Sequence, residues 1–361
     1  MISLLANGAV TDAAPDRLVL EGVPKIGYGV HLCPFPGSLF SVMKYLGEPV
    51  DYDYLMGVTG AAFRRFWSRD DGGNVDLSTL APEPYDRAAE ALGYEFRPVG
   101  TVNKARIMRA VRHSIATGRP LLAFGIIGPP ECGIITGYDH GGKTLYGYSY
   151  FQDPALPGYY EKSRWFEGAD WAGDVALLRI GDRKPIPPQR DILVSSLKWA
   201  LDLERTAQRP THPNHITGLA AYEGWASGLE VDADYPTGNP KVLGTRTMVH
   251  GDQCVMLEER HSAAKYLRLM VGAITPGDAA REALDELEAA AALYDEVADL
   301  GGSIWLWGSD MTPEVGKALA DAETRREIAR HVRLARETEA KAVEHLEAAV
   351  KRLGSGARRH T

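Results

Sequence analysis

Cysteine is scarce in this sequence: Cys33, Cys132 and Cys254 are the three cysteines among 361 residues. An odd number of widely separated cysteines does not form the disulfide framework of a small secreted protein. The first residues, MISLLANGAVTD, also lack the basic region and the long apolar core of a signal peptide. We therefore expect a cytoplasmic protein whose thiols are reduced.

Long hydrophobic runs and an excess of positive charge are also missing. No window approaches the roughly 18 uninterrupted apolar residues of a transmembrane helix, so we expect no membrane partner. The net charge of −8 argues against a nucleic-acid partner. No Walker A loop, dinucleotide-binding fingerprint or zincin motif is present, and we expect neither a cofactor nor a bound metal.

Two regions of different composition follow one another along the chain. Residues from about 18 to 180 are rich in glycine, proline and aromatics and mix short strands with helices, which predicts an α+β domain. After the run KPIPP, which ends at Pro188, the chain is rich in Ala, Glu and Arg at helical spacing. Because this run lacks backbone donors and favours extended backbone, we place a boundary near Pro187. The predicted domains are residues 1–187, which are α+β, and residues 188–361, which are all helical.

The stretch HLCPFPGSLFSVMKYLG, residues 31–47, predicts a loop that leads directly into an amphipathic helix. Cys33 then lies at or just before the helix N-terminus. Unpaired N–H groups and the helix dipole at that place favour a thiolate and could bind an oxyanion. Cys33 is therefore a candidate nucleophile. The alternative is a buried small hydrophobic residue, as most lone cysteines are.

A second feature of the first domain is a predicted hairpin, with strands at residues 133–137 and 144–150 around a turn rich in glycine. Tyr146, Tyr148 and Tyr150 alternate along its second strand and so share one face. They either belong to the core or line a substrate channel.

Taken together, these segments resemble a known family. A lone Cys opens a helix that ends in YLG, and GVTGAAF, GRPLLAFG and the hairpin GIITGYDHGGKTLYGYSYFQDP follow in order. This set resembles the N-terminal domain of the butirosin biosynthesis protein H family and is more distantly similar to papain-fold cysteine peptidases that process double-glycine leaders. The resemblance covers roughly residues 18–180, and the family also has a helical C-terminal region. It implies a papain-like fold for the first domain.

The resemblance also implies cysteine-dependent acyl transfer. In such proteins the Cys attacks an acyl carbonyl, a His acts as base, and a Gln, Asn or Asp orients that His. Cys33 matches the nucleophile, and Gln152 or Asp153, at the end of the second hairpin strand, matches the orienting residue. The reaction would be aminoacylation of a small molecule from a carrier-protein thioester, or peptide hydrolysis. The implied substrate is a small molecule or an acyl group on a carrier protein.

The sequence departs from the family pattern at the base. Where the family has His, this chain has Glu131 followed by Cys132. A thiol is a poor base at neutral pH, and Glu131 would need a raised pKa to act as one. His31, near the nucleophile, and His140, in the hairpin turn, are the other candidate bases. Two hypotheses therefore stay open: an acyltransferase or hydrolase, and a non-catalytic binding or scaffold protein that lacks the catalytic His.

In the helical domain, His250, Cys254, Glu258 and His261 fall on one face of a predicted helix. Such side chains could ligate a transition metal, but successive turns about 5.4 Å apart prevent one helix from surrounding an ion. Polar packing against the first domain is the simpler interpretation. We expect His250, Asp252 and Cys254 to form a wall of a pocket between the domains.

The predicted substrate-binding residues come from both domains. They are His31, Cys132, Tyr148, Tyr150, His250, Asp252 and Cys254. The Ala-rich helical domain could also form a homodimer.

Overall fold

In the computed structural model the chain is an α+β protein with many helices and a small antiparallel sheet. Its backbone divides into two units. The first contains residues 15–34, 41–49 and 96–181, and the second contains residues 35–40, 50–95 and 182 onward. The structure describes residues 15–70, 77–100, 104–126, 131–142, 144–151, 159–161, 175–274, 281–305 and 313–355.

The strands of the described residues are mostly short. They are β1 (Leu18–Val19), β2 (Phe66–Trp67), β3 (Tyr94–Gly100), β4 (Leu121–Phe124), β5 (Cys132–Asp139), β6 (Thr144–Tyr148), β7 (Tyr159–Glu161), β8 (Val175–Arg183) and β9 (Ile216–Thr217).

The helices are longest toward the C-terminal part of the chain. They are α1 (Pro34–Tyr45), α2 (Tyr52–Thr59), α3 (Glu83–Leu92), α4 (Lys104–Ala116), α5 (Gln189–Arg205), α6 (Leu219–Leu229), α7 (Pro240–Glu258), α8 (Arg260–Ala273), α9 (Arg281–Ile304), α10 (Pro313–Ala320) and α11 (Ala322–Ser355). None of these helices combines the length and the apolarity that crossing a membrane requires.

A seven-stranded sheet forms the centre of the first unit. Its order is β3-β8-β4-β5-β6-β7, and β1 pairs with β5 outside this path. The apolar face of α4, with Ile107, Val111 and Ile115, packs in one buried cluster with sheet residues such as Leu121 and Ile135. The amphipathic spacing of α4 thus fixes which face of the helix covers the sheet.

Several predicted elements of the first domain are confirmed. The loop before Pro34 leads into α1. The spacing of Ile107, Met108, Val111 and Ile115 predicts a helix over Lys104–Ala116, and α4 has these bounds. The hairpin is present as β5 and β6, which pair antiparallel. The predicted alternation of tyrosines is confirmed for Tyr146 and Tyr148, whereas Tyr150 lies beyond the end of β6.

Two predicted elements are wrong. The sequence of the run AAFRRFW predicts a strand, but residues Ala61–Phe63 form a 3-10 turn and only Phe66–Trp67 are strand. The sequence also predicts one helix over residues 241–271, and the structure has two helices that meet at Glu259. A buried ion pair joins these two segments: the Arg64 guanidinium donates to the Glu259 carboxylate at 2.7 Å.

Residues 50–95 belong to the helical unit, whereas the boundary near Pro187 placed them in the first domain. Their polar contacts explain the difference. Arg87 donates to the backbone carbonyl of Ser195 on α5 at 2.7 Å, and the Trp199 indole donates to the carbonyl of Thr59 at 3.1 Å. Hydrogen bonds thus connect residues 50–95 to α5, the first helix after residue 188.

A buried arginine organises the core of the helical unit. The Arg260 side chain is fully buried, and its Nε and Nη2 atoms donate to the Glu339 carboxylate at 2.6 to 3.0 Å. Its Nη1 donates to the carbonyls of Ala62 and Arg64 at 2.9 and 3.0 Å. One guanidinium therefore joins α8, α11 and the irregular segment before β2. An arginine suits this role because it presents five donors in a rigid plane.

Glu204 lies beside this ion pair, 3.6 Å from Arg260 Nη2, and is equally buried. Burial and the neighbouring Glu339 charge raise the pKa of Glu204 well above its usual range. Burial alone would also raise the pKa of Glu339, but the charge and hydrogen bonds of Arg260 lower it. The opposite shifts favour Glu204 as the holder of a shared proton and Glu339 as the carboxylate that pairs with Arg260.

The two carboxyls should respond very differently to the same substitution. We expect Glu339→Gln to lower the free energy of unfolding by about 3–5 kcal/mol, because it removes the carboxylate that accepts the charged hydrogen bonds of the buried Arg260. Glu204→Gln replaces one neutral donor by another of the same shape and should cost less than about 1 kcal/mol. Urea unfolding at pH 7, followed by circular dichroism, measures both variants.

The matched control is Glu347→Gln, which removes the partner of Arg205 in an exposed ion pair. This change should stay within about 1 kcal/mol. Equal losses for Glu204→Gln and Glu339→Gln would contradict the assignment of the shared proton to Glu204.

Candidate functional site

Cys33 is the residue that precedes the first turn of α1. Its backbone is extended, with φ −94° and ψ 117°, and Pro34 follows as the first helical residue. Proline fits there because its fixed φ suits a helix and its missing N–H would have no intrahelical acceptor. The Cys33 side chain makes no capping hydrogen bond to the helix and is buried, with 1% of its surface exposed. The thiol thus lies at a helix N-terminus, as the sequence predicts.

Two tyrosines connect this cysteine with Glu131. The Tyr150 hydroxyl donates to the backbone carbonyl of Cys33 at 3.4 Å. The Tyr150 ring meets the Tyr28 ring edge-on, with 4.9 Å between the centroids. The Tyr28 hydroxyl donates to Glu131 Oε2 at 2.9 Å. Cys33, Tyr150, Tyr28 and Glu131 therefore form one continuous set of contacts within the first unit.

The structure brings together only part of the predicted site. Cys33, Glu131 and Tyr150 belong to the contact set above, whereas Gln152 and Asp153 lie outside the described residues. His31 is half-buried in the turn before Cys33.

The two other residues predicted for this site lie on the hairpin. Cys132 begins β5, is buried, and has its thiol 3.7 Å from the Gly133 carbonyl. Tyr148 ends β6, and burial together with the nearby Glu21 charge raises the pKa of its hydroxyl.

Tyr28 is a site residue that the sequence analysis missed. It lies in the loop before α1, 42% exposed, and also meets the Phe151 ring edge-on at 6.1 Å. Its partner Glu131 is 103 residues away in sequence. The loop around Tyr28 has no periodic pattern, so no signal in the sequence could have paired these two side chains.

In the helical unit, His250 and Cys254 contact one another on α7. His250 is 2% exposed, and its Nε2 lies 3.0 Å from the carbonyl oxygen of Ile304 and 3.5 Å from Cys254 Sγ. Burial lowers the pKa of His250 to about 4 and raises that of the Cys254 thiol. At neutral pH the pair is therefore an uncharged imidazole beside an uncharged thiol, which does not provide a nucleophile.

A small pocket adjoins His250 within the same unit. Its walls are Trp67, Trp225, Gly228, Leu229, Tyr235, Arg246, Val249 and His250. The sequence predicts His250, Asp252 and Cys254 as the wall of a pocket between the domains, whereas this pocket is formed by residues of the helical unit alone. His250 lines it, Cys254 contacts His250, and Asp252 is buried on the same helix. Among the described residues, no three His, Cys, Asp or Glu side chains form a group that could hold a metal ion.

Comparison with known proteins adds no assignment, because no family model and no curated protein matches this sequence. The structure defines an α+β protein with a buried cysteine at a helix N-terminus in one unit and a small aromatic pocket in the other.

The uncharged His250 makes the stability of the helical unit sensitive to acid. The native pKa of about 4 lies below the usual value near 6.5, so between these pH values the unfolded chain binds a proton that the native protein does not. Acidification through this window should therefore destabilise the wild-type protein relative to His250→Gln, by on the order of 3 kcal/mol. Urea unfolding of both proteins at pH 7, 6, 5 and 4 measures the difference.

His113→Gln is the control, since His113 is exposed on α4 in the other unit. Its stability difference from the wild type, measured at each pH, is subtracted from that of His250→Gln, so that the effect of losing any imidazole is removed. A His250→Gln difference that is independent of pH would contradict a neutral buried imidazole.

Proposed function

We propose that the protein is a cysteine-dependent acyltransferase or amide hydrolase that acts through a thioester on Cys33. The substrate is a small molecule or an acyl group on a carrier protein. The observation that carries the proposal is the position of Cys33 at the N-terminus of α1, next to a tyrosine pair that holds Glu131. Helix N-termini favour both a thiolate and the oxyanion of a tetrahedral intermediate.

In the proposed reaction, Cys33 Sγ loses its proton and forms a bond to the acyl carbonyl carbon. The tetrahedral intermediate collapses to a thioester, and the leaving group takes up a proton. An amine or water then attacks the thioester and restores the thiol. Glu131, held by the Tyr28 hydroxyl, is the proton acceptor and donor in place of the histidine that similar proteins use.

The proposal extends to the family and the fold. A cysteine that opens a helix, followed in the chain by an antiparallel sheet whose hairpin begins one residue after Glu131, supports a papain-like first unit similar to the butirosin biosynthesis protein H family. The helical unit that follows agrees with the helical C-terminal region of that family.

A non-catalytic binding or scaffold protein is the second candidate. Two observations favour it: Cys33 is 1% exposed, and Glu131 with Cys132 stands where similar enzymes have their histidine. The two candidates differ in whether Cys33 reacts.

Alkylation by iodoacetamide separates them, with each cysteine followed by mass spectrometry as a function of pH. For the enzyme we expect Cys33 to react at least about tenfold faster than Cys132 and Cys254, with a midpoint below the free-thiol pKa of about 8.5. The two other buried cysteines serve as internal controls. Slow alkylation of Cys33, at the rate of the controls, would favour the binding protein.

Transfer of an acetyl group from p-nitrophenyl acetate tests the role of Glu131. Intact mass should show one acetyl group on the wild type and none on Cys33→Ser. Glu131→Gln should slow acetylation by about 10²-fold, because a proton acceptor is lost. Asp16→Asn, at an exposed carboxyl of the same unit, is the matched control and should leave the rate unchanged. Equal rates for Glu131→Gln and the wild type would exclude Glu131 as the base.

A further inference from the structure

Three exposed apolar side chains lie beside the contact set of Cys33 and Glu131. In the described part of the first unit, the exposed large hydrophobic residues are Tyr28, Val30 and Phe151, which are 42, 61 and 38% exposed. Single exposed hydrophobic residues are common on protein surfaces, whereas apolar residues that gather at one place indicate a binding surface.

Ring contacts and the chain itself connect these three residues to the candidate site. Tyr28 meets the Phe151 ring edge-on, with 6.1 Å between the centroids, and meets the Tyr150 ring at 4.9 Å. Val30 follows Tyr28 in the same turn. Since the Tyr150 hydroxyl donates to the Cys33 carbonyl at 3.4 Å, the exposed apolar surface adjoins the candidate nucleophile.

The exposed rings are the part of this site that a substrate meets first, because Cys33 itself is only 1% exposed. In an acyl group, the part beyond the carbonyl is what differs between one substrate and another. Binding of that remote part determines which substrate an enzyme prefers. The exposed apolar residues are therefore suited to bind the body of the acyl group, while Cys33 and Glu131 carry out the chemistry.

The geometry of the rings indicates which kind of acyl group fits. Aromatic rings prefer edge-to-face or offset contacts with centroids roughly 4.5–7 Å apart, and such contacts stabilise beyond the burial of apolar area. Tyr28 makes two contacts of this kind, at interplanar angles of 66° and 81°, and is still 42% exposed, so a further ring can join the group.

We propose that the acyl group which the protein transfers or hydrolyses contains an aromatic ring, and that Tyr28, Val30 and Phe151 bind this ring. The proposal rests on the proposed thioester at Cys33 and adds to it the class of acyl group. The three residues determine specificity and take no part in proton transfer through their apolar surfaces.

Acylation of Cys33 by three p-nitrophenyl esters, followed by intact mass, tests the proposal on the full-length protein. Each rate is divided by the rate of the same ester with N-acetylcysteine, which removes differences in intrinsic reactivity. We expect phenylacetyl transfer to be at least about tenfold faster than acetyl transfer on this scale, because an apolar ring leaves water. Hexanoyl, which is apolar without a ring, should be at least about twofold slower than phenylacetyl.

Two variants of the exposed residues should lower the preference for phenylacetyl over acetyl. Phe151→Ala removes one ring and should reduce the preference to about threefold. Val30→Ala covers the case in which Phe151→Ala does not fold, since Val30 is 61% exposed, and should reduce the preference about twofold. Val231→Ala, at an exposed valine of the helical unit, is the matched control and should keep the wild-type preference.

The outcomes separate this proposal from the proposed function. If none of the esters acylates Cys33, both are overturned. If Cys33 is acylated but all three groups react equally on the corrected scale, or if Phe151→Ala and Val30→Ala keep the wild-type preference, the aromatic acyl group alone is overturned. Hexanoyl transfer that is as fast as phenylacetyl transfer would also overturn it, because the surface would then bind any apolar chain.

Discussion

The Arg260 guanidinium is the interaction on which the helical unit most depends. It neutralises Glu339 on α11 and also satisfies backbone carbonyls of the irregular segment from Ala62 to Arg64. A lysine could not replace it, because a single ammonium does not present donors in several directions within one plane. The segment before β2 is buried, and the guanidinium satisfies its Ala62 and Arg64 carbonyls, which water does not reach. The Arg260 side chain therefore donates to backbone carbonyls that backbone N–H groups would satisfy in a regular helix or sheet.

The Cys33 region depends on local and long-range interactions in turn. Residues next to Cys33 in the sequence determine where α1 begins, and contacts between distant residues bring Glu131 into the same cluster. The proline after Cys33 and the apolar face of α1 determine where the helix begins. The acidic group comes from the start of β5, so the sheet determines where Glu131 lies. Tyr28 and Tyr150 then link the two parts. The residues of this cluster therefore come from a helix N-terminus, a loop and the approach to a strand, which only the folded chain brings together.

The parts of the fold that the sequence predicts are those with a local physical cause. Periodicity and turn residues act between near neighbours, and they gave α1, α4 and the β5–β6 hairpin correctly. The run AAFRRFW was misassigned because its conformation depends on ion pairs such as Arg64–Glu259, 195 residues apart. For the same reason the Tyr28–Glu131 contact of the candidate site had no local signal. A hydrophobic pattern records which side of an element is buried, but not which charge it meets there.

Gly224 and Gly228 lie on α6 where a Cβ atom would come within 2.6 and 2.7 Å of the Trp67 ring, and they affect the stability of the helix as well as its packing. Each interior glycine costs a helix about 1 kcal/mol relative to alanine, and α6 has only eleven residues. An isolated helix of that length is already marginal in water. The stability of α6 therefore depends on its packing in the folded protein, and the contact between the Trp67 ring and the glycine face of the helix is part of that packing.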